Sequence, residues 1–366
     1  MLLGMVPVLR WLHIYCVTKM LQFLVGEDMR RFYMLALLVV CSLAAPICNG
    51  AEVQEVTEYG VRVFVLQQDR TVVKVAPSAG LNAYSISVDG VEFLHQPESK
   101  EKLAGVSCGV PILYPTPNRV RGGKFSFGAK DVQFAPLNGR GNHIHGLVNR
   151  HAWQVETVEA DSDKATLICS ADFTADSQLG AQFPFAHKLR VQIVVKNAAV
   201  RWTYIVDNQK GKEDVPFGFA LHPYFVYQGE RARTFLTIPA SHWMEAENQL
   251  PTGKLVPASE LDFPMGTPFS LEATKFDDVF WGVSPSKSTL IDFRDKQRQI
   301  RIQASEHFTH LVVWTPMRPF FGIESQTCST DAHNLHSSGK VEQAHLQVAA
   351  AGKVASGWVE YQLNAK

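Results

Sequence analysis

The sequence predicts an all-β chain, built as one large antiparallel β-sandwich. Three observations carry that expectation. Apolar and polar residues alternate with period two in segment after segment, the spacing of a strand with one buried face. After residue 52 no run of about 12 or more residues holds a helical period. Clusters of Gly, Pro, Asn and Asp punctuate the alternating segments at short intervals.

In chain order, VRVFVLQ at 61–67, VVKVAP at 72–77 and YSISVDGVEFL at 84–94 read as strands. Asp89-Gly90 folds the last into a hairpin, because a tight turn needs residues that tolerate positive φ. In HKLRVQIVVKN, Leu189, Val191, Ile193 and Val195 share one face while Lys188, Arg190 and Gln192 face away. After the short link Asn197 to Ala199, VRWTYIVDN repeats the device with Val200, Trp202, Tyr204 and Val206. QIRIQA and HLVVWTP supply two more strands. Turns are expected at NGRGN (138–142), NQKGKED (208–214), PTGK (251–254) and SPSKS (284–288). Neither a low-complexity linker nor a fixed-period repeat divides the chain, so residues 52–366 are expected to form a single domain.

The first fifty residues are different. MRRFYMLALLVVCSLAAPICNGA starts at Met29 with two arginines, continues as an apolar stretch from Phe32 to Ala45, and ends in small residues. That is the pattern of a secretory signal. The apolar stretch is shorter than the roughly 20 residues a membrane span takes. Residues 1–28, broken by Arg10, His13 and Lys19, read as lying upstream of the true start, the other reading being an uncleaved amphipathic anchor. The expectation is a leader over 1–51 and an exported chain, periplasmic or extracellular, with no membrane span in its mature form. Of six cysteines, Cys108, Cys169 and Cys328 lie beyond the leader. They are widely spaced with no CxxC, so neither a disulfide framework nor a thiolate zinc site is expected, and a single bridge stays open.

Composition bounds the function. The chain is 46% hydrophobic and 19% charged, enough for a sizeable core. Its 35 basic residues equal its 35 acidic ones, so nothing favours nucleic acid and no acidic tail is present. A neutral small molecule is the natural partner.

Five places set titratable groups beside glycine, proline or aromatics. They are Arg119 in LYPTPNRVRGG, His143 and His145 in GNHIHGLVNRHAW, and His222 in FGFALHPYF. The other two are Asp277 and Asp278 in KFDDVFWG, and Glu324 in FFGIESQTCSTDAHN. Singly, each has a plain explanation: Arg119 as a surface charge over apolar neighbours, His145 as a satisfied core histidine, the two aspartates as a turn. Glu324 is harder to explain so, because a carboxylate among Phe320, Phe321 and Ile323 must find partners or shift its protonation.

Together, the PNR, NHIHG with downstream Trp153, HPYF, DDVF and IExxT motifs resemble, in order and separation, those of aldose 1-epimerases, also called galactose mutarotases. The resemblance runs from about residue 57 to the C-terminus. It implies a galactose mutarotase-like supersandwich, an aldohexose substrate, and no cofactor or metal. It also implies catalytic roles for Glu324 as base at the C1 hydroxyl, His222 as acid at the ring oxygen, and His145 as a hydrogen-bonding group near them. Arg119, Asp277, Asn118 and Tyr224 would bind substrate, with Tyr224, Phe225 and Trp153 as candidate apolar walls. The chain departs from the pattern at Leu147, where many members have glycine or an aromatic, and at Ser325, where proline is common. Both touch substrate preference more than reaction type.

Three alternatives stand beside this reading. A non-catalytic carbohydrate-binding relative would keep the pocket without the chemistry. A hexose-6-phosphate 1-epimerase would use Arg121 beside Arg119 for phosphate. A metal enzyme would use His143 and His145, which two-residue spacing on a strand would point the same way.

Overall fold

Antiparallel pairing organises the computed structural model, which describes residues 50–365; the expected leader lies outside the described residues apart from its last two positions. A five-stranded meander comes first: Ala51–Glu58, Val61–Gln68, Thr71–Ala76, Asn82–Val88 and Val91–Glu92. A nine-stranded sheet follows, with Ala165–Phe173, His187–Lys196, Ala199–Asp207 and Val354–Ala365 at its centre. An eight-stranded sheet carries His242–Glu247, Asp277–Trp281, His310–Trp314 and Phe320–Gln326 side by side, with Ala220–Leu221 paired to the last.

The period-two alternation becomes cross-strand packing. Leu189 pairs with Val206, Val191 with Tyr204, Ile193 with Trp202 and Val195 with Val200, all of them buried. Fully burying one such side chain stabilises by about 1.5–3 kcal/mol, which explains why this register is fixed: a slip by one residue would turn the whole row to solvent. Among the described residues the longest α-helix is Ala332–Ser337, and no helix is long and apolar enough to cross a membrane. Cys108, Cys169 and Cys328 are free and buried, so the bridge left open by the sequence is not formed.

One local expectation changes. PTGK is not a turn but part of the strand Leu250–Pro257; the chain reverses just before it, at Asn248 and Gln249, with φ of 52° and 66°. Pro251 is accommodated because this strand is the sheet's edge. The segment that contains FGFALHPYF forms three short strands, Val215–Phe217, Ala220–Leu221 and Phe225–Val226, with His222 between the last two.

The register of the eight-stranded sheet sets the site. Paired residues lie on the same face, so Met244, Val279, Val312 and Glu324 form one cross-strand row and Asp277, Trp314 and Gly322 the next. The opposite face presents Phe280, Leu311, Val313, Phe321 and Ile323 to the core.

Candidate active site

His222 follows the two-residue strand Ala220–Leu221, where its backbone N–H donates to the Pro111 carbonyl at 2.9 Å. Pro223 biases it away from helical geometry, so the ring leaves the strand end toward the site. Its Nε2 lies 3.3 Å from Glu324 Oε1. One face of the ring stacks on Tyr224, with centroids 4.8 Å apart, and Trp314 meets it edge-on at 5.7 Å. His145 approaches edge-on at 5.3 Å.

Glu324 is 2% exposed, and its Oε2 accepts a 3.1 Å bond from Gln326 Nε2. Burial pushes its carboxyl up to about 8; the Gln326 donor and the Arg119 charge pull the other way, and Asp277 adds to the push. Burial also brings His222 down to about 4. His145 is held well below the usual histidine range, by burial first and then by the charges of His222, Arg119 and His143. Burial therefore disfavours the charged form of both members of the His222–Glu324 pair.

A two-stranded ladder, Arg119–Val120 against His143–Ile144, places the other polar groups. Asn118 and His145 flank it at φ 55° and 67°, left-handed conformations in which Asn and His are enriched. The His145 N–H donates to the Asn118 carbonyl at 2.7 Å, and Arg119 Nη1 donates to Asn118 Oδ1 at 2.8 Å. Gly146 is obligatory here: φ is 68°, and a Cβ would run into the Tyr114 backbone. Arg119 Nε, His145 Nδ1 and His222 Nδ1 are buried with no hydrogen-bond partner. Buried polar atoms left without a partner are the kind of group that an ordered water or a ligand completes.

Asp277, Arg119 and Asn118 border a small, partly open cleft, with Met244, Gln249 and Thr330. Asp277 Oδ2 accepts from Gln249 Nε2, and Gln249 Oε1 in turn accepts from Arg140 Nη1 at 2.7 Å. Asp278, on the other side of the strand, accepts instead from Trp243 Nε1 at 2.9 Å.

The family model described as aldose 1-epimerase matches residues 62–362. The chain belongs to the aldose 1-epimerase family. Among solved structures it is similar to a galactose mutarotase-like protein from Clostridium acetobutylicum at 19% identity and a TM-score of 0.76, over 87% of this chain and 99% of that one. It is also similar to the galactose 1-epimerase from Lactobacillus acidophilus, at 16% identity and a TM-score of 0.69, over 86% and 99% of the two chains. These likenesses are of fold, and they show the galactose mutarotase-like β architecture.

Within this family member, His222, Glu324, His145 and Tyr224 meet around one point, with Arg119, Asn118 and Asp277 on the adjoining cleft. Two candidate walls do not reach it. Phe225 points into the core against Phe321 and Tyr361, because it alternates away from Tyr224. Trp153 is buried in the core and donates to the Val148 carbonyl at 3.3 Å. His143 does not sit beside His145: it stacks on Phe134, its Nε2 is 3.1 Å from the Gly146 carbonyl, and the left-handed turn at His145 breaks the strand alternation. Arg121, the candidate phosphate group, is tied to Asp331 through its backbone N–H at 3.0 Å and its Nε at 3.3 Å. Sequence reasoning missed Trp314, Gln326, Gln249 and Arg140. Gln326 was accessible to it, two residues from Glu324 on the same strand face.

Proposed function

We propose that this protein interconverts the α and β anomers of a neutral aldohexose, with His222 and Glu324 exchanging protons with the hemiacetal. The observation that carries the reading is the 3.3 Å contact between a buried imidazole and a buried carboxyl, beside unpartnered polar atoms. Moving the shared proton from carboxyl to imidazole across that contact gives Glu324 carboxylate and His222 imidazolium without changing the net charge. The Arg119 charge favours that ionised carboxylate.

Glu324 then takes the C1 hydroxyl proton. The freed electron pair forms the C1 carbonyl, the C1–O5 bond breaks, and His222 delivers its proton to O5. Rotation about C1–C2 presents the other carbonyl face, and closure returns both protons. Each positioned proton transfer is worth about 10²–10⁴-fold. Arg119, Asn118 and Asp277 hold sugar hydroxyls, since a buried polar site rejects a ligand that leaves its groups unpaired. Tyr224 and Trp314 wall the ring.

Polarimetry of freshly dissolved α-glucose and α-galactose tests this. Residues 52–366 should accelerate the decay of optical rotation, and sugar binding without acceleration would instead favour the non-catalytic carbohydrate-binding reading.

A further inference from the structure

The segment after the strand Phe320–Gln326 reaches Arg119. The Asp331 N–H donates to the Arg119 carbonyl at 2.8 Å, and Asp331 Oδ1 accepts the Arg121 N–H at 3.0 Å, which ties residue 331 to the Arg119–Val120 strand. One residue earlier, Ser329 Oγ donates to the Thr330 carbonyl at 2.8 Å and lies 3.0 Å from Met244 Sδ. Held from both sides, Thr330 lines the cleft that Arg119, Asn118 and Asp277 border.

The Thr330 side chain is the unusual member. The residue is 2% exposed, and its hydroxyl has no hydrogen-bond partner. Thr327 shows how a buried threonine is ordinarily satisfied: its Oγ1 accepts the Phe219 N–H at 2.9 Å. The Thr116 and Thr166 hydroxyls are also unpartnered, but of the three it is Thr330 that lines this cleft. Arg119 Nε, from another residue of the same cleft, is likewise buried and unpaired. Burying a hydroxyl without a partner costs free energy, so the two groups fit a site that a third polar group completes. The space there is about 20 Å³, enough for one water-sized group. Arg119 donates, Asp277 accepts, and the Thr330 hydroxyl does either; a single hydroxyl, with one proton and two lone pairs, matches that set.

We propose that Thr330 is a specificity-determining residue, whose hydroxyl joins Arg119 and Asp277 in holding one hydroxyl of the sugar. The inference rests on the epimerase reading above and adds a residue to it. A site built to hydrogen-bond a substrate hydroxyl rejects the analogue that lacks it, because the buried groups are then left unpaired. The contact is to a hydroxyl that does not react, so Thr330 acts on KM and leaves the proton transfers to His222 and Glu324.

Anomer-resolved proton NMR tests this with the better substrate of glucose and galactose and its monodeoxy analogues at C2, C3, C4 and C6. The proteins compared are the wild type, Thr330→Val and Thr330→Ser. Thr330→Val should raise KM for the parent sugar about three- to tenfold, with kcat within about twofold, the loss of one hydrogen bond. For one analogue, the one without the hydroxyl that Thr330 holds, wild type and Thr330→Val should share the same KM; the other analogues should keep the difference. Thr330→Ser keeps the hydroxyl and should stay within about twofold of wild type. Without sugar, Thr330→Val should melt no lower than wild type, because it gives up no bond within the protein. A KM penalty common to every sugar, no penalty for any, a Thr330→Ser as impaired as Thr330→Val, or a lower melting temperature for Thr330→Val would each overturn the assignment. Calorimetry separates it from the catalytic reading. If the wild type binds the sugars without mutarotating them, the same one-analogue pattern in Kd sustains the contact while the epimerase reading falls; uniform changes in Kd overturn the contact, and absence of binding overturns both.

Discussion

His222 Nε2 lies 3.3 Å from Glu324 Oε1, with both side chains almost wholly removed from water. Burial drives each toward its neutral form: the carboxyl binds its proton more tightly and the imidazole more loosely than either would in water. In the reaction proposed above the two would act as one unit that gives a proton and takes one, as opening and closing a hemiacetal requires.

The pH dependence follows. With Glu324 at about 8 and His222 at about 4, the pair carries one proton between those values. Below the lower value a second proton leaves no base; above the upper value no proton remains to reach O5. The expected kcat/KM profile is a plateau bounded by limbs near pH 4 and pH 8, which belong to the pair. A single limb near the ordinary histidine value would contradict the shared-proton account. Stability shows the carboxyl separately. Because the folded state binds this proton more tightly than the unfolded chain, the Glu324 contribution to stability falls as pH rises from about 4.5 through about 8. Glu324→Gln should remove that slope in denaturation measured across the range.

Replacing either member should remove most of the activity. His222→Ala and Glu324→Gln are each expected to lower kcat about 10²–10⁴-fold while circular dichroism stays that of the wild type. Since the two groups act as a unit, the double variant should be little worse than the poorer single one. Losses that multiply would indicate independent roles.

Much of this was legible in the sequence, and the reasons are physical. Alternation over His187–Lys196 and Ala199–Asp207 is a direct record of one buried face, so strands and core followed from it. His222 and Glu324 stood out because a titratable group in an apolar run needs a partner, and each proved to be the other's. The reversal at Asn248 and Gln249 was hidden because Pro and Gly in the adjacent PTGK carry the stronger turn signal, while the edge of a sheet tolerates both. Arg140 and Gln249 lie in a loop and a turn, where no periodicity predicts which side chains meet.

Those two residues carry a prediction of their own. Gln249 holds Asp277, and Arg140 holds Gln249, so the carboxylate proposed above to bind sugar is oriented by a relay from two separate segments. Neither residue touches the proton-transfer pair. Gln249→Ala should therefore raise KM for the aldose about three- to tenfold with kcat near wild type, the effect of losing one hydrogen bond of about 0.5–1.5 kcal/mol. Arg140→Ala should act in the same direction and more weakly. A fall in kcat at unchanged KM would mean that Gln249 acts on the transition state instead.

Gly146 is the remaining test, because it links a backbone conformation to the position of His145. Its φ of 68° alone disfavours any side chain, and a Cβ would also collide with the Tyr114 carbonyl, in the segment that receives the Leu147 N–H at 2.8 Å. Gly128 offers the control: its φ is 58°, and a Cβ there meets nothing within 4 Å. Gly128→Ala should lose about 1–2 kcal/mol in urea denaturation, the left-handed penalty by itself. Gly146→Ala should lose more than that, since the collision adds to the same penalty. It should also depress kcat/KM, because the turn that aims His145 at His222 can relieve the collision only by moving. Equal losses in the two variants, with activity intact in both, would show that the His145 turn yields without disturbing the site.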